Sequence, residues 1–454
     1  MTIPNNIHLS DNKKLARQLG HYQKQFSGWW KKAGPEEFLD KNMPLRIPTG
    51  SGAASRWAET KFITPNDYKW GVFVSPREQK NVEFGVHSGE KVWHSVPQDY
   101  YFLLLDHIVV QADVENGSVE QSRLLTQNAP SLHDLHNLFQ FFLEEGRHSW
   151  SMVYLLLEYF GHDGEIESES LLDRMCADES SPRLLNAFNY QTTEWLSHFM
   201  WCFLADRDGK YQLEAVTKGA FEPLATTCRY MLLEEPLHLK IGSLGLERTL
   251  IKSIELTLDS DSIDIWDKGG IPLPVIQKYF NYWTCKVFDL FGNDCSHNAS
   301  EMYQIGIRTP RNFHRMKDTE VMVDYVINGN VEQIHVPAEN ALNSIMRRQF
   351  IIEVGKTVDH WNQSIAQLNI DFQLNIPHER FSREIGPCRG MLLDIEGQAY
   401  TGDAEAHAKE FFPDETEIRK INALMKRVLE PGCCASWIAP PHMGFGQFIK
   451  QSQS

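Results

Sequence analysis

Cysteine is scarce in this chain and carries no metal spacing. The eight cysteines, at 176, 202, 228, 285, 295, 388, 433 and 434, form no Cys-x-x-Cys. This argues against a disulfide framework, a zinc ribbon or an iron–sulfur cluster held by the chain itself. The thiols read as reduced, and the Asn-x-Ser sequons at 116, 298 and 362 as chance. Positive charge is also short: Lys+Arg number 44 against Asp+Glu 60, a formal net charge of −16. A general nucleic-acid or anionic-membrane binder does not have that balance, so any polyanionic ligand needs a local basic pocket. No uncharged apolar run reaches the roughly 18 residues that span a bilayer. The first residues, MTIPNNIHLSDNKK, lack the apolar stretch of a signal peptide. We therefore expect a cytoplasmic protein with no nucleic-acid and no membrane partner. There is no G-x-G-x-x-G, no P-loop and no internal repeat. At 42% hydrophobic and 23% charged, the chain has a globular composition, not a disordered one.

The texture of the sequence divides it in three. Residues 1–95, rich in Trp, Gly and Pro, read as an irregular N-terminal wrap. Residues 96–300 read as a helical core, and 301–454 as a C-terminal cap with β-hairpins packed on it. In the core, a first helix runs from Pro97 to about 125. A second starts after Asn128-Ala129-Pro130, where Ser131 followed by Asp134 resembles a capping box, and runs to Gly161, a suitable C′ glycine. A third spans about 182–217, and a fourth begins near Pro223 and runs through EEPLH. Two more are expected at 272–290 and 338–368. In the cap, DYVINGNVEQIHV places Asn328-Gly329 between alternating segments, a strong hairpin signal, and MLLDIEGQAYTG is a weaker one.

Chemistry enters with Glu-x-x-His, which occurs as Glu145/His148 and Glu235/His238. Residues three apart on a helix share a face and reach one metal ion. A single match means little: with 18 histidines in 454 residues, about one hit is expected by composition. Glu332/His335 is such a hit, on a strand where residues three apart point to opposite faces. The other two each have an upstream acid, Glu115 for Glu145 and Asp206 for Glu235. The midpoints of these pairs fall at Pro130 and at Ala220–Phe221, where turn residues stand. Two antiparallel hairpins then return each acid to the level of its motif. That places four carboxylates and two imidazoles in one layer of a four-helix core, the ligand set of a dinuclear carboxylate site. Oxygen-rich ligation with one imidazole per metal suits iron or manganese better than zinc. A satisfied core cluster is the competing reading, but burying four carboxylates against two imidazoles without cations costs many kcal/mol.

Other features carry less. Gln111, one turn before Glu115, is a candidate substrate contact or support for that carboxylate. Asp206-Arg207-Asp208-Gly209 opens like a calcium loop but has Thr217 where the twelfth-position Glu belongs. His133 and His136 read as surface residues and Cys433-Cys434 as packing. Arg308, Arg311, Arg315 and Lys317 read as a solvated loop, with phosphate binding as the second choice. Pro236 removes an N–H inside the second motif, so a kink or π-type bulge is expected there.

At these six residues the chain resembles the soluble di-iron monooxygenases that form the oxygenase component of benzoyl-coenzyme A 2,3-epoxidases. The likeness continues through IPNN, VQADVENGSVEQ, APSLHDLHNLFQ, EEGRH, PRLLNAFN, DRDGKYQL, CRYMLLEE and LEPG. The EEPLH segment departs from the family at Pro236 and Leu237. The resemblance implies a mainly α fold: a ferritin-like four-helix bundle core with an irregular N-terminal wrap and mixed α/β C-terminal additions. It implies two iron ions held by Glu115, Glu145, His148, Asp206, Glu235 and His238. Glu145 and Glu235 would be shared between the irons, Glu115 and Asp206 terminal. It further implies O₂ activation and epoxidation of the ring of benzoyl-CoA in aerobic benzoate degradation. Electrons would come from NADPH through a separate reductase carrying FAD and an iron–sulfur centre. The rival readings are a related oxygenase on another aryl or aryl-CoA substrate, a ferritin-like ferroxidase, a radical-generating subunit using Tyr154 or Tyr230, and a helical scaffold.

Overall fold

The computed structural model describes residues 12–35, 43–44, 62–63 and 80–452. The chain is mainly helical, with a small antiparallel sheet, as expected. Most of the expected N-terminal wrap lies outside the described residues. Of the part inside, residues 80–95 form only turns and isolated bridges, whereas α1 (Lys13–Ala33) is a regular helix capped by Asn12, whose side chain accepts from Leu15 N–H at 3.0 Å. Its buried residues, Leu15, Leu19, Tyr22, Phe26, Trp29, Trp30 and Ala33, recur at helical spacing. The glycines that suggested irregularity, Gly20 and Gly28, fall on its exposed face.

The bundle is built from α2 (Tyr101–Gln121), α3 (Leu132–Tyr159), α5 (Trp195–Val216) and α7 (Glu235–Ser260). Between them lie α4 (Gly161–Asp173) and α6 (Glu222–Met231). The contacts of α2 with α3 and of α5 with α7 are the most extensive helix–helix contacts among the described residues. Residues 141–157 of α3 are buried on every side, which marks it as an inner helix. At its start Ser131 accepts from Asp134 N–H at 3.1 Å, as a cap should. The Asp134 carboxylate does not complete the box. It turns to Arg248 of α7, at 2.7 Å, and braces the two helices. Gly161 ends α3 with φ +54°, in the left-handed region that an L side chain enters at a cost.

Two boundaries differ from the sequence reading. The third helix begins at Trp195, not near 182: Glu194 caps it, accepting from Ser197 N–H at 2.8 Å. The preceding segment is pinned as a loop by Arg183, whose guanidinium donates to Asp113 at 3.0 Å and Glu120 at 2.7 Å on α2. The fourth helix is split. Leu232, Leu233 and Glu234 form a tight turn, and α7 restarts with Pro236 in its first turn. The expected distortion at Pro236 is thus a full break, with Leu237 N–H donating to Glu234 C=O, three residues back.

One close approach sets the α5–α7 geometry. A Cβ on Gly242 would collide with the backbone of Cys202 and Phe203, and one on Gly245 with the ring of Phe199. Gly242 is one turn beyond His238, and Phe203 one turn before Asp206, so this contact brings those two residues face to face.

Outside the bundle, α8 (Leu273–Leu290) and α10 (Leu342–Ala366) pack on α5. α9 is His297–Gln304, and three short helices, α11 (Ala404–Phe411), α12 (Glu415–Leu424) and α13 (Phe445–Ser452), close the chain. Met43–Pro44 (β1) pairs with Phe62–Ile63 (β2), and Glu320–Ile327 (β3) with Asn330–Pro337 (β4). Asn328 and Gly329, at φ +52° and +83°, make the expected two-residue hairpin turn. MLLDIEGQAYTG yields a looser loop with one bridge, Leu393 to Ala399.

Gly242→Ala is expected to lower unfolding free energy by about 1–3 kcal/mol through overpacking. Gly20→Ala, whose Cβ meets nothing within 4 Å, is expected to raise it by about 0.5–1 kcal/mol. Urea denaturation midpoints at equal slope check both.

Candidate metal centre

The structure brings Glu115, Glu145, His148, Glu235 and His238 into one buried layer. Each of two triads, Glu115/Glu145/His148 and Glu145/Glu235/His238, offers ligand atoms that all lie within 4.8 Å of one another. Glu145 belongs to both. The two imidazole rings are 6.1 Å apart, centre to centre. His148 Nδ1 is 3.3 Å from Glu115 and 4.0 Å from Glu235, and His238 Nδ1 is 3.0 Å from Glu145 and 3.6 Å from Glu235. Asp206 lies outside both triads, but close enough to His238 and Glu235 for their charges to move its carboxyl.

The polar atoms around this layer are arranged for something held between them. His238 Nδ1 is buried and without a hydrogen bond, although carboxylate oxygens of Glu145 and Glu235 face it, and Asp206 Oδ2 is likewise buried and unbonded. Among the described residues no Lys or Arg forms an ion pair with Glu115, Glu145, Asp206 or Glu235. With neutral imidazoles these carboxylates carry −4, the charge two divalent cations neutralise. Such a donor set, carboxylates plus one nitrogen on each side, fits iron or manganese.

The outer nitrogens are held reciprocally. His148 Nε2 meets Glu234 at 2.9 Å, and His238 Nε2 meets Glu144 at 3.1 Å. Each of these acids precedes the motif on the opposite helix. A proton on Nε2, fixed by that carboxylate, leaves the Nδ1 lone pair facing inward. Arg147 forms an ion pair with Glu234, and Gln140 donates to Glu144 at 2.9 Å. Sequence reasoning missed Glu144 and Glu234. Their signal was the doubled acid, Glu-Glu-x-x-His, present in both motifs. Gln111 donates to Glu115 at 2.6 Å, so it positions that carboxylate. Glu235 lies in the first turn of α7, where the helix dipole favours an anion.

Burial pushes the Glu145 carboxyl well above the carboxylate range, and Glu115 adds like-charge repulsion. Burial also pushes Asp206 up to about 7, against the pull of His238. For Glu115, burial acts upward too, but the hydrogen bond and charge of His148 bring it below its ordinary value. For His238, burial acts downward and is overridden by Glu144, Glu145 and Glu235, which raise it well above 6.5.

The other candidates lie elsewhere. Asp206–Gly209 is continuous α5, not a calcium loop, and Glu332 and His335 are exposed on β4. His133 and His136 are exposed, as expected; Cys434 packs against the core, also as expected, but Cys433 is exposed. The basic cluster is not a single solvated loop. Arg308 turns inward to Gln212, and burial brings it down to about 10, whereas Arg311 pairs with Glu214 and only Arg315 and Lys317 face solvent freely. Tyr154 is buried on α3, and no helix among the described residues is long and apolar enough to cross a membrane.

A known protein resembles the chain over almost its whole length. The chain is 40% identical over 453 residues to benzoyl-CoA oxygenase component B of Aromatoleum evansii, covering 97% of this chain and 96% of that protein. No protein-family model matches it.

Without metal, the site gives stability a definite pH dependence. Glu145 and Asp206 hold protons in the fold that they release in the unfolded chain, so their contribution is lost as pH rises above the ordinary carboxylate range, for Asp206 by about pH 7. The raised His238 acts in the same direction: its contribution is complete below 6.5 and lost as pH rises through its folded value. Glu115 acts oppositely, but only below 4.5. Burial lowers His107 to about 4 and His198 to about 3, which adds stability as pH rises to 6.5, so the melting temperature of metal-free protein is expected to fall only above about pH 6.5. A divalent cation should restore it most at the higher pH, where the ligands are deprotonated. Calorimetry with and without Fe(II) reads both effects; a profile that keeps rising above that pH contradicts the assignment.

Proposed function

The chain belongs to the benzoyl-CoA oxygenase component B family, and on that footing we propose that it is a di-iron monooxygenase that epoxidises the 2,3 bond of the benzoyl-CoA ring. The observation that carries the proposal is the shared Glu145 between two buried Glu/His triads, with His238 Nδ1 and the neighbouring Asp206 Oδ2 buried and without a hydrogen bond. Glu115, Glu145 and His148 would hold one iron, and Glu235, His238 and Asp206, with Glu145, the other. When bound, the pair supplies O₂ reduction and transfer of one oxygen atom to the ring. The other atom leaves as water with two electrons and two protons.

The protein's own part is to orient and to exclude. Glu144 and Glu234 fix the imidazole tautomers, and Gln111 holds Glu115 in place. Removing such supports typically costs 10–100-fold in metal affinity or activity. Phe141 packs its ring 4.8 Å from His238, and Phe142, Leu143 and Met231 are buried around the layer. This apolar wall keeps water from the reacting centre. The chain carries no nucleotide motif and no cluster-binding cysteines, and the relative's name denotes one component of several. A separate reductase, with NADPH, FAD and an iron–sulfur centre, therefore supplies the electrons in this reading.

The test is iron content together with substrate-dependent turnover. Reduced, reconstituted protein should contain two irons per chain and consume O₂ with product formation only when benzoyl-CoA is present. Gln111→Ala should keep its iron yet form less product per O₂ consumed. Two irons without response to any aryl thioester would move the function to iron oxidation, and no bound iron would remove the site.

A further inference from the structure

Behind the His148 motif, α3 turns a different residue type toward α1. Trp150, two positions beyond His148, points away from the metal layer and is buried against α1. Tyr22 meets its ring edge-on at 5.1 Å and Phe26 at 5.6 Å. Phe26 in turn lies 5.5 Å from Trp29 and 5.6 Å from Trp30, and those two indoles are 6.2 Å apart. Five aromatic rings thus run without a gap from the metal-binding helix to the last turns of α1.

Three properties suit this run to carrying charge. First, the indole N–H groups of Trp150 and Trp29 are buried with no acceptor, where buried Trp usually finds one. An indole that loses an electron there has nowhere to send its proton, so the charge stays mobile. Second, Tyr22 is no proton-coupled trap. Its phenol is buried beside Ser149 and Asn116, neither of them a base, and burial raises its pKa strongly. Third, α1 carries six cations, Lys13, Lys14, Arg17, Lys24, Lys31 and Lys32, and no acid, and all six are exposed. In a chain of net charge −16 that face gathers anions.

We propose that Trp150, Tyr22, Phe26, Trp29 and Trp30 form a hole-transfer chain that drains an oxidising equivalent from the metal centre when O₂ has been reduced without substrate. It rests on the di-iron reading above. One electron leaves the Trp150 indole for the centre, and an electron from Trp29 or Trp30 crosses the Phe26 contact to refill Trp150. An anionic one-electron reductant, of the ascorbate or thiolate class, held at the exposed basic face, then gives its electron across the helix to the buried α1 indole. The centre gains one electron, the reductant loses one, and every indole keeps its N–H proton. The role of the chain is protective: it moves damage away from the ligands when the reaction is uncoupled.

The experiment exposes chemically reduced, iron-loaded protein to O₂ without any aryl thioester, and measures iron in the same samples. A transient tryptophan-radical signal, by rapid-mixing absorbance and electron paramagnetic resonance, is expected in wild type. Peptide mass spectrometry should find oxidation at Trp29 and Trp30. Tyr22→Phe, which keeps the ring, should behave as wild type. Trp150→Phe should keep its iron, lose the radical signal by about tenfold or more, and move oxidation to side chains beside the ligands. The Trp29→Phe/Trp30→Phe double variant should instead prolong the radical on Trp150. Iron-loaded Trp150→Phe with an unchanged radical signal and oxidation map overturns the chain alone, as does wild type with no oxidation on α1. Wild type that binds no iron overturns the di-iron reading and the chain together.

Discussion

The reciprocal grip between α3 and α7 is the contact on which the rest of this structure depends. Glu144 on α3 holds the imidazole of α7, and Glu234 before α7 holds the imidazole of α3. Carboxylates buried this deeply are costly unless each is paired or neutralised. The crossed arrangement settles the outer face of the site by pairing each spare carboxylate with an imidazole. The inner face remains a layer of like charges, and its stability without cations is correspondingly poor. An α-helical scaffold tolerates that only if the helices carrying the charges are held from outside.

The bundle provides such holding. Arg248 ties α7 to the cap of α3 through Asp134, and Arg183 ties the segment before α5 to α2 through Asp113 and Glu120. Gly242 and Gly245 allow α7 to lie directly on α5. Burying side chains such as Leu138, Phe142 and Ile254 contributes about 1.5–3 kcal/mol each, against which a strained polar layer can be maintained. The added helices α8 and α10 extend this support along α5.

Much of this was legible in the residues, and what was not has physical causes. The Glu-x-x-His spacing and the turn residues midway to Glu115 and Asp206 encode the layer, because helical pitch converts sequence distance directly into height. The Asn328-Gly329 turn was equally readable, since few residues accept two successive left-handed φ values. The start of α5 was not: the Leu184-Leu185 and Ala187-Phe188 pairs before Trp195 look like an early helical turn until the tertiary pull of Arg183 is known. The break at Leu232–Glu234 was foreseen only as a kink, because Pro236 removes one hydrogen bond but packing decides how far the helix opens. α1 was hidden by its tryptophans and glycines, which lower local helix preference while the 3.6-residue spacing of its apolar face persists. Glu144 and Glu234 escaped because attention to metal-binding spacing passes over the residue next door. Asp206 shares the layer's electrostatics from outside the two triads, a distinction that no spacing reveals.

The central claim is that these six residues hold two ions as one coupled unit. Mössbauer spectroscopy of iron-reconstituted protein in its oxidised form tests it most directly. The account predicts a single antiferromagnetically coupled ferric pair, silent in electron paramagnetic resonance, that disappears in Glu145→Ala. Isolated high-spin ferric ions, or a coupled pair that survives loss of Glu145, would contradict it.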